Sequence, residues 1–156
     1  MLLTRNGMLV TRHYPGMRER KKHELADTAQ QIVGGFLLAG PFVVTQEVWM
    51  LAQNMTIFHS LFLVGIIMSI GYGGLYGADN DRDPQREAAL LGVPIRFISV
   101  VLVAFGSVAI LAFAVTAPSQ FLGELPPADR LAVTFRAISV GSLFSMVGAV
   151  TTDSIF

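Results

Sequence analysis

Four apolar stretches constrain this chain more than anything else in it: Gln31–Ala52, Ile57–Tyr76, Ile95–Ala117 and Leu131–Asp153. A helix rising 1.5 Å per residue crosses a hydrocarbon core of about 30 Å in roughly 20 residues. Each stretch has that length. Residues 57–76 and 97–116 carry no Asp, Glu, Lys or Arg at all. Helices of soluble bundles show a polar stripe, and these stretches mostly lack one. The sequence therefore predicts an all-α polytopic membrane protein with four transmembrane helices and the lipid bilayer as its main partner.

Composition agrees. Of the 156 residues, 53% are hydrophobic and only 14% charged, against roughly 25% charged in soluble domains. The formal net charge is zero, so nothing points to a nucleic-acid partner. The absence of cysteine excludes disulfides, thiolate catalysis and cysteine-held metal or haem. Met1–Val10 is interrupted by Arg5, Asn6 and Gly7, so it has no apolar signal-peptide core.

The charges divide the chain into a basic N-terminal segment, residues 1–27, and a transmembrane domain, residues 28–156. Nine of the eleven Lys/Arg residues fall in the N-terminal segment or at the connection between the second and third spans. Arg130 and Arg136 are the other two. The positive-inside rule then predicts cytoplasmic N- and C-termini, in an integral protein of a prokaryotic plasma membrane. Arg18–Gln30 reads as a polar helix running straight into the first span. Each basic residue of Arg18–Lys22 near an anionic membrane surface gains about 1 kcal/mol.

Two motifs fail on inspection. Asp79-Asn80-Asp81-Arg82-Asp83 starts like a calcium loop but has Pro84 and Leu90 where glycine and glutamate are required. Asp83 as N-cap, Pro84 as first helical residue and Gly92 as stop predict instead a short interfacial helix over Gln85–Leu91. Gly71–Gly77 is glycine-rich, but it follows an apolar helix and not a strand, which argues against nucleotide binding. No intramembrane His-Glu, Asp-Asp or Ser/Lys arrangement is present. The expectation is a non-enzyme with no catalytic residue, no cofactor and no metal.

Small residues recur every fourth position at Gly65, Ser69, Gly73 and Gly77, and again at Gly141, Ser145 and Ala149. Helices in lipid associate through close backbone approach at such residues. Both stripes are predicted packing faces, within one chain or between copies. Pro41 removes one helical hydrogen bond and predicts a kink in the first span. The outer Pro118–Arg130 connection reads as a short structured cap.

The candidate polar site is Glu47, His59 and Arg136, which the four-span topology puts at similar depth toward the outer side. A carboxylate at mid-bilayer costs about 2.5–3.5 kcal/mol or more, so it is paired, protonated or used. A Glu47–Arg136 ion pair with His59 beside it is one arrangement. The other has Arg136 snorkelling to the headgroups and Glu47 in the interface beside Trp49. Gln30, Gln31, Thr151, Thr152 and Asp153 form a second polar level on the inner side.

Gly34–Pro41, followed by Thr45-Gln46-Glu47-Val48-Trp49, resembles a family of integral membrane proteins of unknown function. Phe135–Ser142 is similar to that family's last segment. The resemblance implies a multi-pass membrane protein and brings no activity with it. Arg136 departs from the pattern, where an uncharged residue is expected, so it does not imply a Glu47–Arg136 pair.

The functional expectation is a small channel or transporter subunit with an intramembrane carboxylate. The alternative is a non-catalytic structural or accessory subunit of a membrane complex. Four helices enclose little interior, so a homo-oligomer or a membrane-complex partner is expected in either case.

Overall fold

The computed structural model describes residues 16–77, 85 and 89–155. Among these residues the protein is all-α apart from one small hairpin. Its elements are α1 (Met17–Val43), α2 (Gln46–Asn54), α3 (Ile57–Tyr72), β1 (Ala89–Leu90), β2 (Val93–Pro94), α4 (Ile95–Ala114), α5 (Ala117–Leu122) and α6 (Pro127–Ile155). Helix α3 continues through one π turn over Gly73–Gly77. Among the described residues three segments are long and apolar enough to cross a membrane: Ile57–Gly77, Ile95–Ala114 and Pro127–Ile155. The bent pair α1–α2 makes a fourth if it is counted as one span.

Helix α6 is the axis of the bundle. Two thirds of its most apolar window is buried, against 17% for α3 and 28% for α4. Helix α1 runs antiparallel to it, and glycine makes the approach possible. A Cβ on Gly34 would fall on the Gly148 carbonyl, and one on Gly148 would fall on the Gly34 carbonyl. Between these contacts the Ser145 hydroxyl donates to the Gly35 carbonyl at 3.1 Å and meets the Ser107 hydroxyl of α4 at 2.8 Å. Gly141 faces Val108 of α4. The small residues Gly141, Ser145 and Ala149 thus hold α1 and α4 against α6, as van der Waals association in lipid requires.

The other stripe faces away. A Cβ on Gly65, Gly73 or Gly77 would meet nothing within 4 Å, and Ser69 is exposed, its hydroxyl bonded to the Gly65 carbonyl. Helix α3 packs instead through Ser60, Ile67, Gly71 and Leu75. At about 100° per residue, positions two apart point to opposite sides, so a 60–67–71 face and a 65–69–73 face cannot both meet α6. Gly65, Ser69 and Gly73 are therefore not packing residues within this chain.

The first span is broken outright, two residues beyond Pro41, where a kink at that proline is predicted. Helix α1 ends at Val43, Thr45 is extended, and α2 departs at 79°. Pro41 sits in the last turn of α1, where its missing N–H and its ring weaken continuation. The corner is then fixed by side chains: Thr45 Oγ1 donates to the Phe42 carbonyl at 3.0 Å and Trp49 Nε1 to the Val43 carbonyl at 2.9 Å. Trp49 is buried and stacked on Phe121 of α5, centroids 5.6 Å apart. It is a core residue of the cap and not an exposed interface anchor. The Pro118–Arg130 connection does form a structured cap, with Leu122 buried.

The predicted interfacial helix is not formed at its C-terminal end. Ala89–Leu90 pairs antiparallel with Val93–Pro94. Leu91 and Gly92 both have positive φ, 53° and 82°, as the central residues of a tight two-residue hairpin require. Gly92, a predicted helix stop, serves instead in the hairpin turn. Most of the remaining predicted helix, and the Asp79–Asp83 stretch, lie outside the described residues.

Candidate functional site

The largest polar network among the described residues joins three helices at the end of the bundle where α6 stops and α4 starts. Asp153, one turn from the end of α6, has a wholly buried side chain. Its Oδ1 accepts from Arg96 Nη2 at 2.9 Å and from Gln31 Nε2 at 3.0 Å. Arg96 Nη2 also donates to Asp27 Oδ2 of α1 at 3.0 Å. The Gln31 side-chain carbonyl accepts from the Ser99 hydroxyl at 3.1 Å. Nearby, Thr152 Oγ1 donates to the Gln30 carbonyl at 3.0 Å.

The local sequence explains the positions. Asp27 and Gln31 are one helical turn apart on α1, and Arg96 and Ser99 are three apart on α4, so each pair shares a face. The buried carboxylate is stabilised because a guanidinium and an amide both donate to it; a buried charge without such donors costs several kcal/mol. Asp27 is the exposed member, with 37% of its side chain open against none for Asp153. Arg96 therefore bridges an inner and an outer carboxylate.

A cavity of about 440 Å³ opens beside this network, lined by Glu24, Asp27, Thr28, Gln31, Arg96 and Ser99. A second one of about 590 Å³ continues from it between α1 and α4. The two share Thr28, Ile95 and Ser99.

Among the described residues no hydrogen bond or ion pair joins Glu47, His59 and Arg136. Glu47 lies in the first turn of α2 and is exposed. A carboxylate there complements the positive end of the helix dipole. His59 caps α3: the Thr56 backbone N–H donates to its Nδ1 at 3.2 Å, and Thr56 Oγ1 meets the same nitrogen at 2.8 Å. Arg136 is half-buried beside Gln53 and Asp129 in a cavity of about 240 Å³. Among the described residues neither Glu47 nor Arg136 makes an ion pair. The break at Val44–Thr45 turns the Glu47 segment away from the line of α1. Thr134, read at the same level, bonds its own helix at the Arg130 carbonyl.

The sequence profile of a family described as putative integral membrane protein (DUF2391) matches residues 6–152. That span covers nearly the whole chain. The protein belongs to the DUF2391 family. No curated protein and no solved structure matches it. Membership agrees with the resemblance seen in the first and last spans, and makes this an integral membrane protein in contact with lipid. All the residues of the Asp27–Gln31–Arg96–Ser99 part of the network lie within the matched DUF2391 region, whereas Asp153 lies one residue beyond it.

Sequence reasoning about this DUF2391 protein placed Gln31 and Asp153 in one polar level but did not join them to Arg96. Arg96 was read with the loop charges that set orientation. The available signal is its position as the second residue of an apolar helix, two residues after Pro94, where a long basic side chain can fold back along its own bundle.

Proposed function

We propose that the protein is a small transport component, a channel or carrier subunit, whose working carboxylate is Asp153 and not Glu47. The observation that carries this reading is the wholly buried Asp153 side chain, held by Arg96 and Gln31 beside a cavity that reaches the surface. Charged groups embedded in membrane proteins are costly and cluster at pathways for ions and substrates. Arg96 bonds Asp27 and Asp153 from a single nitrogen. An arriving cation can take its place on Asp153 while Arg96 stays with Asp27, which exchanges one buried pairing for another. The Lys/Arg distribution supports cytoplasmic termini, which would set this gate on the inner side of a prokaryotic plasma membrane. The reading involves no enzymatic step.

The test is cation flux from proteoliposomes holding wild type, Asp153→Asn and Glu47→Gln. Wild type and Glu47→Gln should conduct and Asp153→Asn should not, with all three folded by circular dichroism. Loss of flux in Glu47→Gln alone would return the role to Glu47 and refute the assignment.

One observation favours a second reading, an accessory subunit that works in a homo-oligomer or membrane complex. The Gly65–Ser69–Gly73 face of α3 is open to another helix. Absence of flux in folded wild type, together with Gly65→Leu or Gly73→Leu abolishing association, would favour it.

A further inference from the structure

We propose that the groove between α1 and α4 is a lateral binding site for an amphiphile with a primary ammonium head. The proposal rests on the transport reading for its purpose, but its binding test does not. The groove is polar at one end and apolar along its length. Ile32, Phe36, Ile98, Leu102, Val103 and Ile110 supply the apolar walls, and Ile32, Leu102 and Ile110 are exposed, so the groove opens sideways to lipid. From Ile95 to Ile110 the helix rises about 22 Å. That exceeds the roughly 15 Å that one leaflet contributes to a hydrocarbon core of about 30 Å, so an extended acyl chain fits along it.

The polar end selects the head. Its lining carries two carboxylates, Glu24 and Asp27, and one guanidinium, Arg96, itself held between Asp27 and Asp153. Among the described residues Glu24 makes no ion pair. Thr28, Gln31 and Ser99 add hydroxyl and amide oxygens at the same level. An ammonium group has three donors and no acceptor, and this end offers carboxylate and hydroxyl acceptors at the mouth of an apolar slot. A carboxylate or sulfate head would instead meet the like charges of Glu24 and Asp27 at the same end.

Two substitutions separate the components. Gly106 lines the groove, and a Cβ on it meets nothing within 4 Å. Gly106→Leu therefore fills the slot without disturbing the bundle. Glu24→Gln removes the rim charge from an exposed position.

The experiment is photo-crosslinking in phosphatidylcholine nanodiscs with diazirine-tagged twelve-carbon probes (an amine, an alcohol and a carboxylate), mapped by mass spectrometry. The amine should label the α1/α4 walls at least fivefold above the other two. Glu24→Gln should reduce that preference, and Gly106→Leu should abolish labelling of the groove. Replacing a fifth of the lipid with phosphatidylethanolamine distinguishes the sources: suppressed labelling points to an aminophospholipid, unchanged labelling to a single-chain amine. Equal labelling by all three probes would mean ordinary solvating lipid and would overturn the proposal. So would chain-to-chain crosslinks through Leu102, which would put a second copy in the groove. Absence of flux with the labelling preference intact would sink the transport reading and leave this site standing.

Discussion

Replacing Gly148 with alanine separates two small-residue positions that look alike in sequence. A Cβ there falls on the Gly34 carbonyl and comes within 3.1 Å of Leu38 Cγ. The first obstacle is backbone on a facing helix, so no rotamer change relieves it. Helices α1 and α6 must separate by roughly 1 Å, and a gap of that size forfeits a quarter to a half of each facing contact. Over ~30 atom pairs of about 0.15 kcal/mol, the loss is between 1 and 2 kcal/mol. The Ser145–Gly35 bond, now 3.1 Å, stretches as well, costing about 0.6 kcal/mol. Alanine's better helix propensity returns at most about 1 kcal/mol, and methyl burial gains little because lipid is already apolar. The net expectation is a loss of about 1–1.5 kcal/mol, consistent with the usual range for overpacking. Gly65→Ala is the control. With nothing within 4 Å of its Cβ, only propensity acts, and the change should be neutral or stabilising by up to about 1 kcal/mol. The assay is SDS-induced unfolding in mixed micelles, followed by the fluorescence of Trp49, the single tryptophan, at two protein concentrations to expose any association. Equal or greater stability of Gly148→Ala, or a loss above about 1 kcal/mol for Gly65→Ala in the concentration-independent part, would refute this packing.

Three further outcomes follow from the same geometry. Trp49→Phe keeps a ring against Phe121 but deletes the donor to the Val43 carbonyl, so it should cost about 1–2 kcal/mol. It should also broaden the distance between spin labels at Leu25 and Asn54, introduced as cysteines in a chain that has none. Asp153→Ala removes the buried carboxylate from the half-buried Arg96 and should cost about 3 kcal/mol in thermal unfolding, whereas removing an exposed partner rarely approaches that. His59→Ala removes the reciprocal cap at Thr56 and should lower stability by about 0.5–1 kcal/mol in the same assay.

The apolar content of the chain was legible because lipid imposes one rule on every span. Ile57–Tyr76, Ile95–Ala117 and Leu131–Asp153 correspond to α3 with its π turn, α4 and α6 with small shifts at the ends. What composition cannot express is direction. Gln31–Ala52 is apolar enough to cross a membrane, yet the chain turns 79° within it, because Pro41 weakens the helix end and Thr45 and Trp49 offer a bonded alternative. The facing of the small-residue stripes was equally hidden. Gly65–Ser69–Gly73 and Gly141–Ser145 have the same spacing, and only the partner helix decides which is buried. Bulk settles it here: α3 presents Ile67 and Leu75 to α6, with Gly71 and Gly74 admitting Met146 and Val150.

The candidate site moved from one end of the bundle to the other for a reason that applies to any charged residue in a span. A carboxylate in an apolar run is informative only if the run is one continuous helix through the bilayer. Glu47 meets the sequence criterion and fails the structural one, because the helix it sits on has already turned out of line. Asp153 ends its apolar run, where a sequence reader expects water, and yet α1 extends past it as a helix from Met17 to Val43 and covers it. Polar groups on two other helices, Gln31 of α1 and Arg96 of α4, then converge on that carboxylate, and convergence, unlike depth, cannot be computed from one helix at a time. The physical requirement is the same for both residues: a desolvated carboxylate needs donors. Only Asp153 is both desolvated and supplied with them, so the working site is sought at the Arg96 bridge and in the groove that opens from it.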